Sequence, residues 1–213
     1  MGQLVMIIGD SGSGKSTSLR NFKPGQIGVL NVAGKRLPFR TNLEPANKPD
    51  YKMCAGALLK NSFNAYAIDD STYLMQFENF RRSKERGYDK FTDMALNFET
   101  LLEVAQDTSE DTIVYFLHHP QFGENGTPKP QTIGKMLDNQ LNIEGLFPIV
   151  IECVVKDGKH LFITNNDGTN IAKSPIDMLP FEMDNDLAEV DRLIRDYWRM
   201  KSLEENKKNG GKK

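Results

Sequence analysis

The sequence predicts an α/β fold with a mainly parallel sheet. Apolar runs of strand length occur at residues 4–8, 64–69, 112–117 and 147–155. Between them lie segments in which apolar side chains recur every three or four residues, as in an amphipathic helix. These side chains are Leu74, Phe77 and Phe80 in one segment and Phe98, Leu101, Leu102 and Ala105 in another. Strands that alternate with helices are typical of parallel sheets covered by helices.

The composition indicates a soluble globular protein. Of the 213 residues, 38% are hydrophobic and 26% are charged. No apolar run approaches the ~20 residues of a membrane span, and residues 1–8 lack the pattern of a secretory signal, so we expect a cytoplasmic protein without membrane contact. Cys54 and Cys153 lie far apart and are expected to remain reduced thiols.

Residues 9–16 carry the most specific motif, which matches the phosphate-binding P-loop pattern GxxxxGK[ST]. This P-loop lies between an apolar strand and a predicted helix that begins near Lys15. The glycines allow backbone N–H groups to converge on one phosphate at the positive end of that helix. Lys15, expected to face solvent, would reach the β- and γ-phosphates, and the Ser16 hydroxyl would ligate Mg²⁺. The predicted nucleotide contacts are Gly9, Asp10, Ser11, Gly12, Ser13, Gly14, Lys15, Ser16 and Thr17.

A second strand is predicted at residues 26–32, after a turn at Pro24-Gly25. It leads into an irregular segment at residues 34–52, at the carboxyl end of a strand, where ligands bind in open α/β sheets. Lys35 and Arg36 either face phosphate or an acidic partner, or are ordinary loop charges.

The strand at residues 64–70 ends in two acids, Asp69 and Asp70. A carboxylate at the end of an apolar strand downstream of a P-loop is suited to hold the water shell of Mg²⁺ opposite Ser16. We therefore assign Asp69 to the metal as a Walker B residue. Asp70, the candidate catalytic acid, either polarises the attacking water or caps the next helix.

Helices are predicted at residues 55–60, from residue 71 or 72 to Gly87, and at residues 92–106. The second of these closes with a basic cluster. These positive charges either stabilise the C-terminus of the helix through its dipole, or supply an arginine finger to a neighbouring subunit. The members of the cluster are Arg81, Arg82, Lys84 and Arg86.

The strand at residues 112–117 ends in His118 and His119. A polar side chain on the strand next to Walker B is well placed to sense the γ-phosphate, so His118 is a candidate catalytic residue, with His119 as the alternative. Zinc is not expected, because His160 is the only other histidine and no further ligands are spaced nearby.

Residues 121–131 contain several Gly and Pro residues and are predicted to form a mobile loop, followed by a short helix at residues 132–141. Asp157-Gly158 is predicted to turn a hairpin whose strands are residues 147–155 and 160–164.

A capping box that starts at Asp186 predicts the last helix. Its inward side chains are predicted to be Leu187, Val190, Ile194, Tyr197 and Trp198. The net charge is −2, yet six basic and two acidic residues follow residue 198. This basic end either contacts nucleic acid or is a solvated terminus.

The order of these motifs resembles that of RecA-like and AAA-type ATPases encoded by bacteriophages, in particular the single-strand-annealing ATPases of phage recombination systems. The resemblance covers residues 1–180, and it depends on residues 9–16, 31–39, 68–70, 116–119 and 132–137. It implies a P-loop NTPase with a RecA-like three-layer α/β/α core that binds ATP and Mg²⁺ and forms rings or filaments. It also implies binding of single-stranded DNA in recombination or replication, beside other phage proteins in the host cytoplasm.

On this basis we divide the chain into an ATPase domain at residues 1–180, a C-terminal helix at 181–206 and a basic flexible tail at 207–213. Lys129, Lys135 and the tail are the candidate DNA contacts. Lys173 is a candidate to approach nucleotide from a neighbouring subunit.

One departure from the family concerns the catalytic glutamate, which RecA-like recombinases usually place just after the strand that follows the P-loop helix. Residues 31–34 of this chain read Asn-Val-Ala-Gly, without a carboxylate. Three alternatives are open. Either Asp70 takes the place of the glutamate, or Glu44 moves in from the long loop, or hydrolysis is slow and nucleotide acts mainly as a switch. Three functions therefore remain open: an ATPase that acts on DNA, a nucleotide-gated assembly or loader module, and a small-molecule kinase.

Overall fold

The computed structural model describes residues 1–123, 126–134 and 142–203, which fold around an eight-stranded sheet. The strands are β1 (Gln3–Ile8), β2 (Gly28–Asn31), β3 (Ala46–Asn47), β4 (Ala65–Asp69), β5 (Ile113–His118), β6 (Pro120–Phe122), β7 (Pro128–Pro130), β8 (Ile149–Lys156), β9 (Lys159–Ile163) and β10 (Glu182–Asp184). The helices are α1 (Tyr51–Lys60), α2 (Thr72–Arg81), α3 (Asp89–Gln106) and α4 (Leu187–Trp198), with 3₁₀ helices at Ser16–Asn21 and Glu144–Leu146.

The strand order in the large sheet is β10-β9-β8-β1-β5-β4-β2-β3. The run from β8 to β3 is parallel, whereas β9 and β10 add antiparallel to one edge. This confirms the predicted α/β fold with a mainly parallel sheet. The strand of the P-loop, β1, and the strand that ends in Asp69, β4, are separated by β5.

Helices cover both faces of the sheet, because alternate side chains of its central strands enter two different cores. On one face Leu4, Met6 and Ile8 of β1 pack with α1, α2 and α3. On the other face Val5 and Ile7 pack with the first 3₁₀ helix and α4. The strands β1, β4 and β5 are buried along nearly their whole length, as their continuous apolar runs require.

Several element boundaries differ from the prediction. The helix after the P-loop is a six-residue 3₁₀ helix, since its serines and threonine are weak helix formers and Pro24 follows closely. Helix α1 begins after Asp50, whose side chain caps Met53 N at 2.9 Å, and is longer than predicted. Helix α3 begins at Asp89 rather than at residue 92.

Helix α2 ends at Arg81 and does not reach Gly87. Arg82 then forms ion pairs with Glu78, Glu85 and Asp93, and these contacts close the helix. A guanidinium held by three carboxylates is poorly placed to act as an arginine finger, so the structure favours the structural alternative for this residue.

The segment predicted to be a mobile loop contains paired strands in its described residues, 121–123 and 126–131. Strand β6, which begins at Pro120, pairs antiparallel with β7 as a small separate hairpin. Residues 135–141 of the predicted helix, with Lys135, lie outside the described residues, as does the tail at 207–213.

The C-terminal part confirms the hairpin and the last helix. Asp157 and Gly158 have φ of 52° and 74° and join β8 to β9, as a tight hairpin turn requires. The Asp186 side chain caps α4 by accepting from Ala188 N at 3.0 Å. Tyr197 is expected to face inward but is 44% exposed. Tyr197 and Trp198 are consecutive on α4 and point in different directions, and only Trp198 packs on the core.

The two cysteines are buried and unpaired, as expected of reduced thiols. Within the described ranges, no helix is both long and apolar enough to span a bilayer.

Candidate nucleotide site

A cavity of about 290 Å³ lies where the carboxyl ends of β1, β2, β4 and β5 meet. Parallel strands place their carboxyl ends at one edge of a sheet, which is where ligands bind in such folds. The residues around the cavity come from the P-loop, the turn after β2, the end of β4, the residue after β5 and β9. They are Ser11, Gly12, Gly14, Lys15, Ser16, Thr17, Asn31, Ala33, Lys35, Arg36, Leu37, Pro38, Asp69, Asp70, His119 and His160.

The P-loop glycines occupy positions that other residues fit poorly. Gly12 and Gly14 have φ of 82° and 108°, in the left-handed region. A Cβ on Gly9 would lie 2.5 Å from the carbonyl oxygen of Cys153. The loop therefore requires glycine for its turn and for its close approach to β8.

The C-terminal part of the chain holds the P-loop from behind. The Cys153 thiol donates to Ser13 O at 3.1 Å, and His160 Nδ1 donates to the same oxygen at 2.7 Å. Asn185 Nδ2 in turn donates to Cys153 Sγ at 3.1 Å. Burial raises the pKa of Cys153 to about 11, so this thiol keeps its proton and acts as a donor. Sequence reasoning missed these supporting residues, since they match no motif.

Lys15 is only 5% exposed, contrary to the expectation that it faces solvent. Its Nζ donates to Gly9 O at 2.6 Å and to Asp10 O at 3.0 Å, and lies 3.4 Å from His119 Nδ1. Burial lowers the pKa of Lys15, while nearby Asp70 opposes this change. The ammonium is thus enclosed by the loop from which it would reach a phosphate.

Ser16 and Asp69 meet as the sequence predicted. Ser16 Oγ donates to Asp69 Oδ1 at 2.8 Å, and Asp69 is 6% exposed. Burial raises the pKa of Asp69 to about 6, although the Ser16 hydrogen bond acts in the opposite direction. This pair of oxygens fits Mg²⁺, which uses one or two protein ligands and takes the rest from phosphate and water. Among the described residues, no cluster of three or more His, Cys, Asp or Glu side chains forms a cage for a metal.

Asp70 and His119 form the second polar pair of the cavity. Asp70 Oδ2 lies 2.8 Å from His119 Nε2, whereas its Oδ1 is buried with no hydrogen-bond partner. Nε2 faces a carboxylate and Nδ1 faces the Lys15 ammonium, so the geometry suits a ring that donates from Nε2 and accepts at Nδ1. A buried acceptor without a partner can bind a water or a ligand group.

His118 does not line the cavity, so the structure places His119, not His118, beside the predicted phosphate site. The His118 ring is fully buried, with Nδ1 2.8 Å from Ser71 Oγ and Nε2 2.8 Å from Gln131 O. Burial lowers its pKa to about 4, so the ring is neutral at pH 7. Its contacts connect the residue after Asp70 to the base of the β6–β7 hairpin.

Three predicted residues come from the segment after β2, and two of them line the cavity. Lys35 and Arg36 line the cavity, together with Asn31 at the end of β2. Glu44 is exposed and does not line it, so Asp70 is the better placed substitute for the missing glutamate.

No protein-family model matches this sequence, and no curated protein matches it at a significant level.

Replacing Asp69 with asparagine is expected to stabilise the nucleotide-free protein at pH 7–8. The folded-state pKa of about 6 exceeds the ordinary value of 3.8, so ionisation of Asp69 costs folding free energy. Protonation of Asp69 adds to the stability of the wild type as the pH falls below 6, whereas the asparagine amide does not titrate. The advantage of Asp69→Asn should therefore shrink by about 1.4 kcal/mol per unit between pH 6 and 4.

Urea unfolding of both proteins at pH 8, 6 and 5 measures this difference. A gap in unfolding free energy that stays constant across that range would contradict the argument.

Proposed function

We propose that this protein is a RecA-like P-loop ATPase that binds ATP with Mg²⁺ and hydrolyses it. The observation that carries the proposal is the meeting of Lys15, Ser16 and Asp69 at one cavity, with the Asp70–His119 pair beside them. Phosphoryl transfer needs mainly positioning and charge stabilisation. A cation, a hydroxyl–carboxylate pair and a buried free acceptor are the groups that supply these.

Each residue has a distinct part in this mechanism. Lys15 would leave the carbonyls of Gly9 and Asp10 and bind the β- and γ-phosphates, while the P-loop N–H groups hold the β-phosphate. Mg²⁺, when bound, offsets phosphate charge, and Ser16 and Asp69 would hold it. Asp70 Oδ1 would accept a hydrogen bond from the attacking water, with His119 fixing the other oxygen.

The strand order supports the RecA-like part of the proposal. The resemblance places a sensor strand next to the Walker B strand, and β5 lies between β1 and β4. His119 then follows β5 directly and contacts both Asp70 and Lys15. A residue that contacts both the predicted catalytic acid, Asp70, and the predicted phosphate-binding lysine, Lys15, is suited to distinguish ATP from ADP.

Action on single-stranded DNA, in a homo-oligomeric ring or filament, is the biological setting that we propose, in the cytoplasm of a phage-infected cell. It follows from the motif resemblance. Of the candidate DNA contacts, Lys129 lies on β7 of the small hairpin.

One observation favours a second candidate, a nucleotide-gated assembly module with little turnover. No glutamate lines the cavity among the described residues, and Asp70 is shorter and already holds His119 through Oδ2. If water is only weakly activated, bound nucleotide would control assembly as a switch, and its hydrolysis would not drive work.

Steady-state ATP hydrolysis with and without single-stranded DNA at low salt tests the proposal, with Ser16→Ala as the background control. We expect DNA to raise the Ser16-dependent rate several-fold, and added salt to suppress that rise because phosphate contacts release counterions. ATP binding with a rate near zero in both conditions would favour the assembly module. Absence of ATP binding would contradict both functions.

A further inference from the structure

The cavity contains a second cation that the P-loop mechanism does not use. Lys35 lines it from the turn after β2, a segment separate from the P-loop. Lys15 and Lys35 therefore bring two cations from different parts of the chain to one cavity, which Asp69 also lines.

The backbone of Lys35 is fixed next to Asp69. Asn31, only 2% exposed, lies at the end of β2 in register with Asp69 of β4. Its Nδ2 donates to Lys35 O at 2.6 Å, and Gly34 makes the turn between them with a φ of 65°. Gly34 N also donates to Asn31 O at 3.1 Å. These contacts define where the Lys35 side chain starts, and its exposed chain can move from there.

The ammonium of Lys35 has no strong partner. Its Nζ lies 5.1 Å from the centroid of the Tyr73 ring, and among the described residues it forms no ion pair. Tyr73 stacks on Phe77 at 5.3 Å and meets the His119 ring edge-on at 5.9 Å. The resting place of Nζ is thus an aromatic ring in contact with His119, which lines the cavity beside Lys15.

We infer that Lys35 binds the terminal phosphate of a nucleoside triphosphate in the same chain, and so selects triphosphate over diphosphate. The inference rests on the proposed function. A cation–π contact at an exposed site is weak, whereas a charge-assisted hydrogen bond to phosphate is strong, so a γ-phosphate would draw Nζ away from Tyr73. A diphosphate, which lacks that group, would leave Lys35 on the ring.

Direct binding measurements with Mg²⁺ and either ADP or adenylyl imidodiphosphate test the inference on the full chain. Lys35→Ala should weaken binding of the triphosphate analogue by about 10-fold or more and change ADP affinity by less than about twofold. Lys35→Arg keeps the charge and should restore most of the triphosphate preference. Lys60→Ala removes an exposed lysine at the end of α1 and should leave both affinities unchanged.

The ADP arm separates the possible failures, because ADP binding requires a folded P-loop. If wild type and Lys35→Ala bind ADP alike and also bind the analogue alike, the role of Lys35 is overturned and the P-loop function stands. Equal losses for both nucleotides would likewise overturn selection of the terminal phosphate. If the wild type binds neither nucleotide, the proposed function fails and the inference fails with it.

Discussion

Replacing Lys15 with alanine is expected to lower the rate of ATP hydrolysis by about 10²–10³-fold. The variant removes the buried ammonium that would stabilise charge on the β- and γ-phosphates in the transition state, and a preorganised donor of this kind contributes that much to catalysis. Two carbonyl oxygens, Gly9 O and Asp10 O, also lose their donor. Both residues line a neighbouring pocket, from which water can replace the ammonium.

Turnover and thermal unfolding should be measured together, with Lys60→Ala as the matched lysine replacement. We expect the unfolding temperature of Lys15→Ala to stay close to that of the wild type while the rate collapses. Retention of the wild-type rate would remove the catalytic role of the P-loop. A rate lost together with the fold would assign Lys15 to stability instead.

Arg195→Ala is expected to cost about 3–5 kcal/mol of unfolding free energy, the usual result when one partner of a buried ion pair is removed. The guanidinium is almost fully buried on α4 and bonds to both carboxylate oxygens of Asp191. It also donates to the carbonyls of Asn64, Asp111 and Lys201. Alanine would leave Asp191 as a buried, unpaired charge and three carbonyls without this donor.

Arg192→Ala supplies the control on the same helix. Arg192 pairs with Glu189 on the surface, and exposed pairs contribute less than about 1 kcal/mol. Adding Asp191→Asn to Arg195→Ala should recover part of the loss, because the lone charge disappears. If chemical denaturation shows the same small loss of unfolding free energy for Arg192→Ala and Arg195→Ala, the buried network contributes no more to stability than the surface pair.

The meeting of Ser16 and Asp69 could be predicted from the sequence because local rules determine it. A P-loop fixes where Ser16 lies, and an apolar parallel strand that ends in Asp69 must deliver that carboxylate to the same edge of the sheet. The structure brings the two side chains to 2.8 Å. The burial of Lys15 could not be predicted in this way, since it depends on how the whole edge closes over the loop.

The histidine pair shows what the pattern leaves undetermined. Consecutive residues of an extended chain point in opposite directions, so only one of His118 and His119 can face the cavity. Which one does so depends on the sheet register and on the packing of Ser71 and Gln131 around His118. Neither of these is visible in a short sequence window.

The contacts that hold the P-loop from behind could not be predicted either. Cys153, His160 and Asn185 lie far from the P-loop in sequence and form no recognisable motif. Arg82 shows an alternative that the sequence leaves open and the structure narrows. A basic residue near a helix end is compatible with an arginine finger or with a structural role, and three carboxylates from its own region hold Arg82.

The central place of β1 has a consequence for synthesis on the ribosome. This strand is made well before its two partners, since it pairs with β5, where Gln3 meets Ile113, and with β8, where Val5 meets Ile149. Contacts so distant along the chain slow folding, and at about 5–20 residues per second the apolar strand waits several seconds or more for its partners. Asn185, behind the P-loop, emerges later still. The nascent strand would therefore benefit from protection against aggregation, and the P-loop would gain its full support only after residue 185 has been made.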